Sequence, residues 1–152
     1  MNKVEKYTGN AVELVKEQTK GLKNLYDVIR LPVPFLAEDY EADLVKMFIE
    51  LNQFANVKNK MNQAQIIETI NLLFEEYPRI SLQEYAIFFR RIKTGYYGQL
   101  YESLDGIKIM AFMKEFYREA LKEYHEYKEE NHIDIKMMEG HRDMEYYTSI
   151  KK

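Results

Sequence analysis

The chain has 152 residues, of which 46% are hydrophobic and 31% charged, with a formal net charge of −3. That length and balance point to one globular domain with a real core and exclude a disordered polymer. The charge excludes a global basic field of the kind that draws in nucleic acid, and the absence of cysteine excludes a disulfide framework, a thiolate metal site and a cysteine nucleophile.

Residues 1–10 are polar and charged and no apolar run follows them, so no secretory leader is expected. No stretch approaches the ~20 apolar residues of a membrane span. The expectation is a cytoplasmic protein with no membrane partner. With 6 Gly and 3 Pro there is little turn material for an all-β fold.

Asn10 is placed as the cap of a first helix, with Glu13 three residues on, and Ala11, Leu14, Val15, Leu22, Leu25, Tyr26 and Ile29 recur at helical spacing. This helix is expected to run to the Leu31-Pro32-Val33-Pro34 stop, with Gly21 as a weak point. A second helix is predicted over residues 38–55, on the stripe Tyr40, Leu44, Met47, Phe48, Leu51 and Phe54. Residues 56–60 read as a loop. Asn62 with Gln65, stapled by Met61 and Ile66, opens a third helix that Pro78 stops. Ser81 with Glu84 opens a fourth, and Gly95 fits a left-handed stop.

Residues 99–104 are expected as a short helical piece, and Asp105 as the cap of a long last helix reaching about residue 131. Together these predict an all-α, compact bundle of about five main helices over residues 1–131. Residues 132–152 follow as a partly irregular tail, docked on the bundle or binding a partner. Its Met137, Met138, Met144, Tyr146, Tyr147 and Ile150 are apolar groups suited to either use.

Charge is unevenly spread. Residues 79–108 hold five Lys/Arg against three Asp/Glu, whereas residues 114–145 hold six against ten. In the basic stretch Arg90, Arg91 and Lys93 precede the one dense turn, Gly95-Tyr96-Tyr97-Gly98, with Tyr101 beyond it. Cations beside aromatic rings suit phosphates and stacked bases, and Lys58 and Lys60 join them if their loop folds nearby. This predicts a binding surface of Lys58, Lys60, Arg90, Arg91, Lys93, Tyr96, Tyr97 and Tyr101 around the turn glycines Gly95 and Gly98, with both arginines held toward solvent. The structural alternative is a helix stop whose rings cover the core edge and whose cations complement the helix dipole.

Gly95 and Gly98 form no dinucleotide or P-loop fingerprint, because no strand precedes them and no Gly-Lys-Ser/Thr follows. His125, His132 and His141 lie among Glu126, Glu129, Glu130 and Asp143 without a spacing that converges on one ion, so no metal is expected. Ser81 and Ser103 read as cap and turn residues, and no nucleophile–base–orienter set is visible. No catalytic residue, no cofactor and no enzymatic activity are expected.

Several strings are familiar in their order: Met61-Asn62-x-x-Gln65-Ile66; Tyr77-Pro78-x-Ile80-Ser81-Leu82-x-Glu84; Phe88-Phe89; Lys93-x-Gly95-x-Tyr97-Gly98-x-x-Tyr101-x-x-Leu104-Asp105-Gly106; then Ile109 and Tyr117. Over residues 61–118 the chain resembles a group of small helical proteins of bacterial phages and mobile elements, found in replication and DNA-metabolism cassettes. The resemblance implies an accessory role in DNA replication, such as loading or adapting a helicase, and carries over no catalytic residue. The arginine that this group places shortly after the tyrosine is only roughly matched by Arg118, directly after Tyr117. The implied partner is a protein, a replicative helicase or another host protein, with nucleic acid as a candidate second partner and a homodimer as a candidate assembly. Two other readings stay open: an inhibitor of a host enzyme or defence complex that uses the acidic C-terminal helix, and a structural or packaged phage protein.

Overall fold

A computed structural model of the protein describes residues 9–31 and 34–131. Five α-helices carry the fold: α1 Ala11–Thr19, α2 Glu41–Phe54, α3 Gln63–Glu76, α4 Leu82–Lys93 and α5 Gly106–Asn131. Two 3-10 turns, Leu25–Arg30 and Ala37–Asp39, stand between α1 and α2. Among the described residues there is no strand, only isolated bridges pairing Leu36 with Ser81 and Asn59 with Ser103. The all-α class expected from the sequence is the observed one. The expected tail, residues 132–152, lies outside the described residues, and His132 and His141 lie there with it.

Local chemistry sets most helix starts. Asn10 accepts the Glu13 N–H at 3.1 Å. Asn62 and Gln65 exchange two bonds of 2.8 Å, and Ser81 and Glu84 exchange two of 3.1 Å, so both boxes close as their spacing predicts. Asp105 accepts the Lys108 N–H at 2.9 Å at the start of α5. Gly95, at φ +79, ends α4 in the left-handed region that glycine occupies without strain.

Three expectations need correction. The first helix does not reach residue 31; it ends at Thr19, Gly21 takes φ +80, and the chain resumes as a 3-10 turn. The break persists because the Thr19 carbonyl, which a continuing helix would use at Lys23, accepts from Leu22 N and from Arg90 Nη2, each at 3.0 Å. Next, α2 opens at Glu41 rather than 38, because Ala37–Asp39 is held as a 3-10 turn by the bond from Ala37 N to Ile80 O. Finally, residues 99–104 are not helical: Asn59 N bonds Glu102 O and Leu104 N bonds Asn59 O, which draws this stretch along the α2–α3 loop.

The core is organised around α4. Every residue from Leu82 to Phe89 is buried, and α1, α2, α5 and the first 3-10 turn all pack on it. The middle of α4 is enclosed by these neighbours, which accommodates the unbroken apolar run Tyr85-Ala86-Ile87-Phe88-Phe89, while its polar residues fall in the first and last turns. Phe88 is its hub, with ring centroids of Phe116 at 5.2 Å, Phe89 at 5.5 Å and Tyr97 at 6.0 Å. The buried Gln83 is satisfied by accepting from Phe35 N at 3.0 Å and donating to Gln18 at 3.1 Å. Thr69 of α3 lies against Gly106, and the Tyr77 and Tyr117 rings meet at 5.0 Å, so α3 and α5 run side by side in the same sense.

Candidate binding groove around Lys93

The last turn of α4 and the Gly95–Gly98 bend divide the expected surface in two. Arg90 and Arg91 do not point to solvent. Arg90 donates to Leu22 O and Thr19 O, each at 3.0 Å, closing the carboxyl end of α1, where a cation also meets the favourable end of the helix dipole. Arg91 pairs with Glu119 of α5 at 3.1 Å, donates to Lys23 O at 3.3 Å and lies 4.6 Å over the Tyr96 ring. Both guanidinium groups are therefore engaged inside the bundle, which corrects the expectation that they form an outward basic patch.

Of the turn tyrosines, Tyr97 packs inward and Tyr96 stays exposed. Tyr96 keeps an exposed ring edge but donates its hydroxyl to Glu119 at 2.8 Å, and that bond raises its pKa. Tyr97 stacks on Phe112 at 5.4 Å and 16°, and burial pushes its hydroxyl up to about 12, with Arg91 acting in the opposite direction. The acidic face of α5 is likewise reduced. Glu119 is committed to Arg91 and Tyr96, and Glu123 turns in to accept Leu25 N–H at 3.2 Å. Burial is the main cause that raises the Glu123 pKa.

Lys93 lies on the Arg90 side of α4, away from Arg91, and is the meeting point of two hollows. The smaller, about 260 Å³, lies between α1, α2 and α4 on a floor of Met47, Ala86 and Phe89, with Lys16, Glu50, Arg90 and Lys93 at its edge. Lys16 pairs with Glu50 across its mouth. The larger, about 500 Å³, is an open groove between the end of α2 and the bend; Leu51, Phe54, Asn56, Ile92, Lys93, Gly95, Gly98, Gln99 and Leu100 line it. The Lys93 ammonium lies 5.6 Å over the Phe54 ring. Burial foremost, then the Lys16 charge, lowers the Lys93 pKa.

Of the expected site residues, Lys93, Gly95 and Gly98 thus share one groove. Lys58 and Lys60 are exposed on the loop that leaves it at Asn56, and Tyr101, 77% exposed, follows its Leu100 wall. The bond between Asn59 and the Glu102–Leu104 segment is what brings that loop alongside. Phe54, 61% exposed, is the groove residue that sequence reasoning assigned to the core stripe of α2. Its place as the last residue of the helix is the signal that it reaches beyond its neighbours.

Residues 60–149 match a family of unknown function, DUF6633. The chain belongs to that family. The DUF6633 segment contains α3, α4, the glycine bend and α5, so it supplies the Lys93–Leu100 wall of the groove, while α2 and its following loop supply the Phe54 wall from outside the matched residues. No curated protein and no solved structure matches the chain. Among the described residues, no group of three or more His, Asp or Glu side chains is placed to hold a metal ion, and no helix is long and apolar enough to cross a membrane.

Proposed function

We propose that this DUF6633 protein is a non-enzymatic helical adaptor that binds a protein partner, acting as an accessory in phage or mobile-element DNA replication. The replication setting comes from the resemblance over residues 61–118. The observation that carries the binding role lies on α3 and α5. Ile107 is 84% exposed at the start of α5, and Leu72 and Ile67 are 42% and 39% exposed on α3, which packs alongside it. Large aliphatic groups left on two adjacent helices of a bundle with a well-filled core suit a partner surface. Four of the polar groups are taken up structurally: Ser81 and Glu84 in a buried cap, Arg90 and Arg91 in internal bonds.

The test is a pulldown from bacterial host lysate with wild-type protein and with the double variant Ile107→Asp, Leu72→Asp. Recovery of a replicative helicase or primase by the wild type and its loss with the variant, at unchanged circular dichroism, supports the adaptor. Recovery of a nuclease or defence complex in its place overturns it in favour of an inhibitor. Equal recovery by both proteins removes the α3–α5 face from the interaction.

A further inference from the structure

We propose that the groove beside Lys93 binds single-stranded nucleic acid, with bases stacking on Phe54 and Tyr101 and phosphates meeting Lys58, Lys60 and Lys93. Five features point there. Phe54, which lines the groove, and Tyr101, next in the chain to its Leu100 wall, are aromatic side chains exposed at 61% and 77%, and every nucleobase has a face that stacks on such a ring. The 500 Å³ groove lies within the range of about 300–1,000 Å³ that ligands occupy. Its lining contains Lys93 and no carboxylate, and includes the side-chain amides of Asn56 and Gln99. Gly95 and Gly98 form part of its wall, and no heavy atom lies near where their side chains would start, so the backbone is open to close approach. The two segments that frame it, residues 54–60 and 93–103, hold three lysines and one carboxylate, Glu102, giving local positive charge on an acidic protein.

Lys93 is suited to this use. Among the described residues no carboxylate bonds to it, and it lies over the Phe54 ring near Lys16 and Arg90, with the Glu50 carboxylate nearby but paired to Lys16. A phosphate there gives Lys93 the anionic partner it lacks, and a base on the ring lies within reach of the same ammonium. An acidic peptide suits the site less well, because it offers no flat ring to stack on Phe54, whereas the apolar Leu51, Ile92 and Leu100 beside the Asn56 and Gln99 amides suit a base held by its face and its polar edge. Duplex DNA offers no free base faces to the rings.

The test is fluorescence anisotropy on the purified full chain, with labelled oligothymidine and oligouridine of about twelve nucleotides and a duplex of equal length. Saturable binding to a single strand is expected, weakening roughly tenfold between about 50 and 200 mM salt, as two to three phosphate contacts require. Phe54→Ala and Phe54→Leu are each expected to weaken it roughly tenfold; the leucine keeps apolar volume but removes the stacking face. Lys93→Gln is expected to weaken it and flatten its salt dependence. A preference for thymidine or uridine strands assigns DNA or RNA as the natural ligand, and either supports the site. The proposal is overturned by absent binding at low salt with intact circular dichroism, by equal affinity for the duplex, or by binding that survives all three substitutions. Because no protein partner is in the assay, its outcome is separate from that of the pulldown.

Discussion

Gly106 shows how one missing methyl sets the contact between two helices. A Cβ there would meet Thr69 Oγ1 at 2.6 Å, and that hydroxyl is buried and held by its bond to Gln65 O at 2.8 Å. Glycine at this position lets α5 start directly against α3. Gly106→Ala should therefore destabilise the protein by about 1–3 kcal/mol, although alanine is the better helix former. In a Thr69→Ala background the same change should become neutral or stabilising. Urea titrations of the four proteins of this cycle measure the coupling, and simple additivity would show that the contact is not the cause. Arg90 illustrates the same scale with charge. Removing its guanidinium leaves the Thr19 and Leu22 carbonyls without their side-chain donor, so Arg90→Met should cost about 1–3 kcal/mol in chemical denaturation.

At the scale of elements, the joint between α5 and the first 3-10 turn contains a titrating group. Glu123 of α5 accepts the Leu25 N–H through one oxygen, while the other is buried without a partner. Burial raises its pKa, so the folded state holds the carboxyl proton more tightly than the unfolded chain does. Folding then takes up a proton just above the ordinary carboxylate range, and this group's contribution to stability falls as pH rises through that window. Glu123→Gln keeps an acceptor for Leu25 and removes the charge. Melting curves between about pH 4 and pH 7 should show the variant gaining on the wild type as pH increases. A parallel pH dependence in the two proteins would rule Glu123 out. The Lys16–Glu50 pair between α1 and α2, with both side chains more than a third exposed, should by contrast contribute little that survives salt.

For the molecule as a whole, one enclosed helix ties the others together. Because α1, α2, α5 and the first 3-10 turn all rest on α4, none of them retains its apolar face once α4 is lost. Unfolding should be a single cooperative transition, with far-ultraviolet circular dichroism and tyrosine fluorescence giving coincident curves. Phe88→Ala, at the centre of the ring cluster, should cost about 3–5 kcal/mol. Separated curves would mean that part of the bundle is stable without α4.

Whatever depends on neighbours three or four residues apart was legible in the chain alone: the Asn62–Gln65 and Ser81–Glu84 boxes, the Gly95 stop, the Asp105 start and hence the five-helix, all-α class. A cap is complete within its own turn, so residue order is enough to reveal it. The fate of Arg90 and Arg91 was not legible, because the carbonyls that hold Arg90 lie 68 and 71 residues away and the Glu119 that holds Arg91 lies 28 away. A cation in a last turn looks the same in sequence whether it faces water or another helix. Packing alone decided that those two turn inward while Lys93, two positions on from Arg91, faces a groove whose second wall comes from α2.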